Sequence, residues 1–161
     1  MTEIVPWRGL DSFGFGEPRS ALRERLGERR SFLRAPGAPA TDHYLDAGLL
    51  LDFDRSDALE FIEATARAGV TYSGVVLAGR PFGDVVSDLR AQGVEVALDD
   101  SGAVMVGLGV ELYTPAPGEP EADVEGVSIR SGREHSALPS EEKQPDEAVD
   151  EPVVALGDTL F

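Results

Sequence analysis

The residues best suited to acid–base chemistry in this chain are its two histidines, His43 and His135. His43 lies between Asp42 and Tyr44, and a carboxylate beside an imidazole is a pair that general acid–base catalysis uses. A histidine at the edge of a strand has the same neighbours without any reaction, and no serine lies in a Gly-x-Ser-x-Gly turn. We therefore predict no catalytic residue and no enzymatic activity.

Clustered carboxylates are the second candidate for chemistry, because oxygen ligands are what Ca²⁺ prefers. Such a cluster occurs in one short stretch: Asp52, Asp54, Asp57 and Glu60. Its spacing lacks the central glycine and the twelfth-position glutamate of a calcium loop. The sequence Gly14-Phe15-Gly16 likewise lacks the third glycine and the Lys-Ser or Lys-Thr pair of a phosphate-binding loop. We predict no metal and no cofactor.

Charge says more about partners than these motifs do. The chain carries 30 acidic and 14 basic residues, for a formal net charge of -16. Residues 1–35 sum to +2, and residues 36–130 sum to -12. A surface this anionic repels nucleic acid and anionic membranes, so we expect a basic protein as the partner of a monomer or a small homo-oligomer.

The chain has no cysteine, and no apolar run approaches the roughly 18 residues that span a bilayer. Its first residues lack the basic head and apolar core of a signal peptide. These features predict a cytoplasmic protein.

The sequence pattern of a short helix occurs twice in the chain. Four residues recur 63 positions later, since Gly16, Pro18, Leu22 and Leu26 match Gly79, Pro81, Val85 and Leu89. Helical spacing predicts one buried stripe in each copy: Ala21, Leu22, Arg25 and Leu26 in the first, and Phe82, Val85, Val86 and Leu89 in the second. Arg19 and Arg23 are assigned to the exposed face of the first helix.

Short apolar runs with turn residues between them predict antiparallel strands. The first pair is 49–53 and 59–64, with a helix over 57–68 as the competing interpretation of the second run. Later strands are predicted at 94–98, 103–106, 109–113 and 124–127, and the last two match the first pair at offsets of 61 and 65 residues. The predicted fold is α+β, with two tandem helix and antiparallel-sheet repeats (1–69 and 70–130) that share one sheet and one core.

The composition changes after residue 130. Residues 131–152 are rich in Glu, Asp, Ser and Pro, which predicts a disordered acidic linker. Residues 153–161 are apolar again and form a predicted docking peptide, whose anchoring residues are Val153, Val154, Leu156, Leu160 and Phe161.

The repeated unit resembles that of beta-lactamase inhibitory protein and of small outer-membrane assembly lipoproteins. The resemblance rests on residues 16–19 leading to Leu26-Gly27, on residues 79–82 leading to Leu89, and on Tyr44 leading into residues 48–51. The chain is also similar to small acidic actinobacterial proteins, some of which serve as immunity proteins for toxins. These resemblances imply a protein that binds a partner through its sheet face.

We therefore expect a non-enzymatic binding module of immunity or inhibitor type, which presents acidic strands and hairpins to a basic partner. Aromatic rings are either interface anchors or core residues here. The predicted contact residues are Tyr44, Asp52, Asp54, Asp57, Asp99, Asp100 and Tyr113. The alternative is a scaffold or cargo-adaptor protein whose terminal peptide docks on another protein, such as a shell.

Overall fold

The computed structural model describes residues 2–132, which form a mixed α/β fold made mostly of strands. The two α-helices are α1 (Arg19–Leu26) and α2 (Phe82–Ala91). In chain order the strands are β1 (Thr2–Val5), β2 (Gly9–Leu10), β3 (Arg30–Phe32), β4 (Thr41–Tyr44), β5 (Leu49–Phe53), β6 (Leu59–Ala64), β7 (Val70–Tyr72), β8 (Val75–Val76), β9 (Val96–Asp99), β10 (Gly102–Met105), β11 (Val110–Tyr113) and β12 (Gly126–Arg130). A 3₁₀ helix (Ala66–Ala68) lies between β6 and β7.

The strands form two sheets, so the prediction of one shared sheet was wrong for the strands that precede each helix. The smaller sheet has the order β2-β1-β7-β8, and its central pair is parallel. The larger sheet has the order β3-β4-β5-β6-β12-β11-β10-β9, and all of its pairs are antiparallel. Each α-helix is thus followed along the chain by four strands of the larger sheet, and the two sets of four meet where Glu63 of β6 lies opposite Ser128 of β12.

The prediction for α2 is confirmed. Pro81 precedes the helix, where its missing N–H costs no hydrogen bond. The four residues of the predicted stripe are all buried, which places one face of the helix in the core: Phe82, Val85, Val86 and Leu89.

The prediction for α1 was wrong in its buried face. Leu22 is buried and Leu26 partly so, but Arg25 is exposed, and the arginine that the structure buries is Arg19. Hydrophobic periodicity cannot reveal this, because a buried arginine needs an acidic partner from another strand.

The strand interpretation of residues 59–64 is confirmed, and the competing helix reduces to the 3₁₀ turn at Ala66–Ala68. A polar turn makes this β5–β6 connection short. Asp54 Oδ1 accepts hydrogen bonds from the backbone N–H groups of Ser56 (2.8 Å) and Ala58 (3.1 Å), and Asp57 adopts a positive φ of 64°. β3 and most of β4 were not predicted, since proline, glycine and charged residues dominate that stretch.

Trp7 holds the N-terminal segment against the β10–β11 turn. Its indole Nε1–H donates to the Gly107 carbonyl at 3.0 Å, and its ring lies over Gly109, where a Cβ would come within 2.6 Å of it. Gly109 also has a φ of 69°, so both the backbone and the ring require glycine. Trp7 therefore connects the start of the chain to the second half of the larger sheet.

Candidate functional site

A buried ionic network fills the space between α1 and the β3–β4 edge of the larger sheet. Asp42, which is fully buried, accepts hydrogen bonds from Arg19 Nη1 (3.0 Å), Arg23 Nε (2.9 Å) and Ser31 Oγ (2.7 Å). The Arg19 guanidinium also stacks 4.2 Å from the centre of the Phe53 ring. This network closes the first half of the molecule at this position, because every charge in it has a partner.

The network sets the ionisation of its members. Burial by itself would raise the pKa of the Asp42 carboxyl, but the hydrogen bonds from Arg23 and Ser31 and the charges of Arg19 and Arg23 outweigh it. The pKa of Asp42 is therefore below its ordinary value. The hydrogen bond to Asp42 raises the pKa of Arg23. Both changes favour the charged forms, so the network is ionic at neutral pH.

The second half has apolar residues at the same positions. Arg19 and Phe82 each begin a helix directly after a proline, and the edge-hairpin registers pair Ser31 with Asp42 and Leu98 with Ala103. The correspondence covers four positions: Phe82 for Arg19, Val86 for Arg23, Leu98 for Ser31 and Ala103 for Asp42. Polar side chains thus lie between α1 and β3–β4, whereas apolar side chains lie between α2 and β9–β10.

The apolar cluster does not close. It leaves a groove of about 450 Å³ between α2, β9 and the β11–β12 loop. Its walls include Phe82, Val86, Arg90, Leu98, Pro117 and Pro120. Leu98 is 59% exposed, and Phe82 and Val86 form the buried floor. We call this feature the α2 groove.

The far wall of the α2 groove is a proline-containing loop, residues 114–125. Backbone hydrogen bonds tie it to the start of α2, from Phe82 N–H to the Ala122 carbonyl (2.7 Å) and from Gly83 N–H to the Pro120 carbonyl (2.8 Å). A Cβ at Gly83 would lie 2.7 Å from Pro120 Cβ, so glycine permits this close approach. The wall is therefore held in place by main-chain contacts.

Acidic residues surround the α2 groove. Residues 82–125 contain ten Asp or Glu and a single basic residue, Arg90. Five exposed carboxylates directly follow or precede groove residues in the chain: Asp84, Asp88, Asp99, Glu119 and Glu121. Within residues 2–132 Asp88 pairs with Arg80 at 2.7 Å, and the other four have no ion-pair partner. The rim is therefore a source of uncompensated negative potential.

The structure separates the contact residues that the sequence predicted. Asp99 and Asp100 lie at the β9–β10 turn beside the α2 groove, and Asp99 Oδ1 also accepts from the backbone N–H of Ser101 and Gly102. Asp54 and Asp57 lie in the β5–β6 turn of the other half. Asp57 binds Arg19 Nε at 3.0 Å and so belongs to the ionic network.

Tyr44 is fully buried and contributes to no surface in this conformation. Burial raises the pKa of its phenol, and within residues 2–132 its hydroxyl has no hydrogen-bond partner. Tyr113 is 49% exposed, as an interface anchor requires, and lies on the outer face of the larger sheet. The predicted docking residues Val153, Val154, Leu156, Leu160 and Phe161 lie outside the described residues.

The outer face of the larger sheet carries acids whose charges are locally balanced. Arg34 binds Asp52 at 3.1 Å and Glu63 at 2.7 Å, and Arg130 lies 3.7 Å from Glu111. A shallow depression of about 200 Å³ lies on this face beside Tyr113. Arginines thus pair with carboxylates on this face, whereas Asp84, Asp99, Glu119 and Glu121 have no ion-pair partner within residues 2–132.

The acid–base pair considered from the sequence does not form. Asp42 faces α1 and bonds to arginines, whereas His43 points to the opposite side of β4, since successive strand residues alternate between faces. His43 lies in an open cleft of about 470 Å³ with Arg29 and Arg30. Among residues 2–132 there is no group of three or more His, Cys, Asp or Glu side chains arranged to hold a metal ion.

No helix in the described part of the chain has the length and apolar character needed to cross a membrane. Comparisons of the chain with protein-family models, curated proteins and solved structures found no match.

Proposed function

We propose that this chain is a non-enzymatic protein-binding module of inhibitor or immunity type, and that its α2 groove receives a basic segment of a partner protein. The observation that carries the proposal is an open apolar groove inside an unpaired acidic rim, at a position that the first half closes with its own ionic network. Apolar floors supply affinity, and rim charges select and steer the partner.

The chemistry of the groove defines the partner. An aliphatic or aromatic side chain of the partner would contact Phe82, Val86 and Leu98, which are the apolar surface on offer. Lysines or arginines on either side of that anchor would meet Asp84, Asp99 and the acids of the loop wall. The same acids repel nucleic acid, so a basic protein segment is favoured over a phosphate backbone.

Selection of binding peptides from a random library on the full-length protein tests this function. We expect the selected peptides to share an apolar anchor flanked by Lys or Arg. Replacing Leu98 by Ser should reduce their binding by about tenfold or more, because one exposed leucine supplies much of the groove wall. Leu33→Ser is the matched control, since Leu33 is equally exposed (60%) and lies outside the groove.

The rim is tested by charge reversal. Glu119→Lys combined with Glu121→Lys should slow association and remove much of its dependence on salt. Glu24→Lys combined with Asp46→Lys makes the same change in net charge away from the groove and should have little effect. Selected peptides that are acidic, or that bind the Leu98→Ser protein as well as they bind the wild type, would refute the proposal.

The adaptor alternative depends on residues 153–161 and is separable. If a protein partner is lost when residues 153–161 are deleted, and is retained by the Leu98→Ser protein, the terminal peptide is the binding element and the groove is not.

We further infer that residues 1–69 and 70–130 are two copies of one structural unit. The matching element order supports this, as do matching backbone hydrogen bonds at the start of each helix: Gly16 N–H to the Leu59 carbonyl, and Gly79 N–H to the Val124 carbonyl, both at 2.8 Å. An experimental structure in which these two segments fail to superpose would contradict the inference. The resemblance to beta-lactamase inhibitory protein stays a prediction.

A further inference from the structure

We propose that the partner segment binds as an added antiparallel strand along the free edge of β9, with an apolar residue opposite Leu98 and basic residues on either side of it. This inference rests on the proposed function of the α2 groove and specifies the conformation that the partner adopts there. Three observations support it: β9 is an edge strand within residues 2–132, the backbone N–H and C=O of Leu98 point away from β10, and carboxylates surround β9.

Within residues 2–132, β9 is the last strand of the larger sheet and pairs only with β10. Its register opposes Asp99 with Gly102 and Ala97 with Val104. The two-residue turn makes Asp99 and Gly102 the closing hydrogen-bonded pair, and hydrogen-bonded pairs alternate along an antiparallel ladder. Ala97 therefore bonds to β10, whereas the N–H and C=O of Leu98 point away from the sheet.

The neighbouring hydrogen bonds agree with this alternation. Val106 N–H donates to the Glu95 carbonyl at 2.9 Å, so Glu95, like Ala97, faces β10. The outward Val96 carbonyl accepts from Arg90 Nη2 at 2.8 Å. Leu98 is therefore the residue of β9 that offers both backbone groups to an added strand.

The Leu98 side chain lies on the same side of the sheet as α2, because it lines the α2 groove together with Phe82 and Val86. Side chains directly opposite in neighbouring strands lie about 4.5–5.5 Å apart at Cβ. The residue that pairs with Leu98 would therefore place its side chain over the groove floor. Its two neighbours would face the other side of the sheet, next to Ala97 and Asp99.

Charge distinguishes this partner from a second copy of the chain. Pairing two β9 edges would bring Glu95, Asp99 and Asp100 of both copies into one short ribbon, and like charges across strands are destabilising. A basic strand meets the same three carboxylates favourably. The opposite edge, β3, is flanked by Arg29, Arg30 and Arg34, so a basic segment would be repelled there.

The probe is the peptide acetyl-Arg-Val-Arg-Ile-Arg-Val-amide, added to the full-length protein labelled for amide NMR. On binding, we expect the Leu98 amide to become protected from hydrogen exchange. The Ala97 amide already bonds to β10, and its protection should not change. Methylating the amide nitrogen of the central isoleucine should weaken binding by about fivefold to tenfold, because one backbone hydrogen bond is lost. The peptide with Glu in place of every Arg should not bind.

A pair of substitutions tests the same edge from the protein side. Leu98→Ala and Leu98→Pro both remove the leucine side chain, but only proline removes the outward N–H. Proline is tolerated at edge positions whose N–H faces solvent, so the fold should persist, as a thermal unfolding curve can verify. Leu98→Pro should bind the peptide at least fivefold more weakly than Leu98→Ala.

The outcomes separate the two proposals. In one outcome Leu98→Ser weakens peptide binding, but the Leu98 amide stays unprotected and Leu98→Pro binds as well as Leu98→Ala. That outcome overturns strand addition and leaves the proposed function of the groove intact. Peptides that bind as helices would give this result. If neither the designed peptide nor any selected basic peptide responds to changes at Leu98, both proposals fail. A β9-mediated dimer that forms without peptide would overturn the choice of a basic partner.

Discussion

The two halves of the larger sheet differ in the side chains that lie between the sheet and its helix. Between α1 and β3–β4, Arg19, Arg23 and Asp42 fill the space with paired charges. Between α2 and β9–β10, Phe82, Val86 and Ala103 line it with apolar atoms and leave it partly open. An ionic network satisfies itself, whereas an open apolar groove is stabilised only when something covers it. The comparison places the open apolar groove in the second half.

The largest expected effect follows from breaking the network. Asp42→Ala leaves Arg19 and Arg23 without their buried partner, and removing one member of a buried ion pair costs about 3–5 kcal/mol. Urea unfolding of the variant and the wild type measures the difference. Asp46→Ala, which removes an exposed acid, should change the free energy of unfolding by less than about 0.5 kcal/mol. If Asp42→Ala lowers the free energy of unfolding by less than about 1 kcal/mol, the guanidinium groups of Arg19 and Arg23 become hydrated in the variant and the network contributes little.

Converting the first half to the chemistry of the second should reverse much of that loss. The exchange variant carries four changes: Arg19→Phe, Arg23→Val, Ser31→Leu and Asp42→Ala. Replacing a buried ion pair by well-packed apolar residues often leaves the free energy of unfolding unchanged. In favourable cases it raises the free energy of unfolding by about 1–4 kcal/mol. We expect the exchange variant to be more stable than Asp42→Ala alone in urea unfolding. If it is less stable, the two halves are not interchangeable at this position.

Acid should weaken the first half selectively. The pKa of Asp42 is lower in the folded chain than in the unfolded chain, so its contribution to stability is fully present above the unfolded value of about 4. That contribution is lost as the pH falls through the folded value. The difference in unfolding free energy between wild type and Asp42→Ala should therefore be constant near neutral pH and shrink in acid. A difference that persists in strong acid would contradict the ionic description.

The smallest expected effect concerns the position that corresponds to Phe53. In the second half it is Thr114, whose buried hydroxyl has no hydrogen-bond partner within residues 2–132. Thr114→Val should be neutral or should stabilise the protein by about 1 kcal/mol, because an unsatisfied polar group is removed. Thr41→Val is the control, since the Thr41 hydroxyl bonds to Asp52 and its loss should destabilise. Thermal unfolding of both variants shows whether each substitution raises or lowers the stability.

Elements with regular patterns were predictable from local sequence. The stripe of α2, the β5–β6 hairpin and the turn at Asp99–Gly102 follow from spacing and turn chemistry alone. α1 was harder, because its buried face contains Arg19. Periodicity treats arginine as exposed, and only the approach of Asp42 on β4 reverses that assignment.

The candidate site was predicted in part. The acidity of residues 36–130 and the aspartates of the β9–β10 turn indicated a surface for a basic partner. The α2 groove itself was not predicted, since its floor consists of residues already assigned to the core stripe of α2. One available signal was the 63-residue match, which sets Arg19 and Arg23 against Phe82 and Val86.

The sequence by itself determined the two helices, the β5–β6 and β9–β10 hairpins and the excess of acid, because these depend on residues close together in the chain. Only the tertiary structure decided which charges are neutralised and which are not. Asp42 is paired because two arginines of α1 reach it across 19 and 23 positions. Asp99 and Glu119 have no ion-pair partner within residues 2–132, although Arg90 lines the same groove. Pairing depends on distances between strands and helices, and the linear order of residues does not contain those distances.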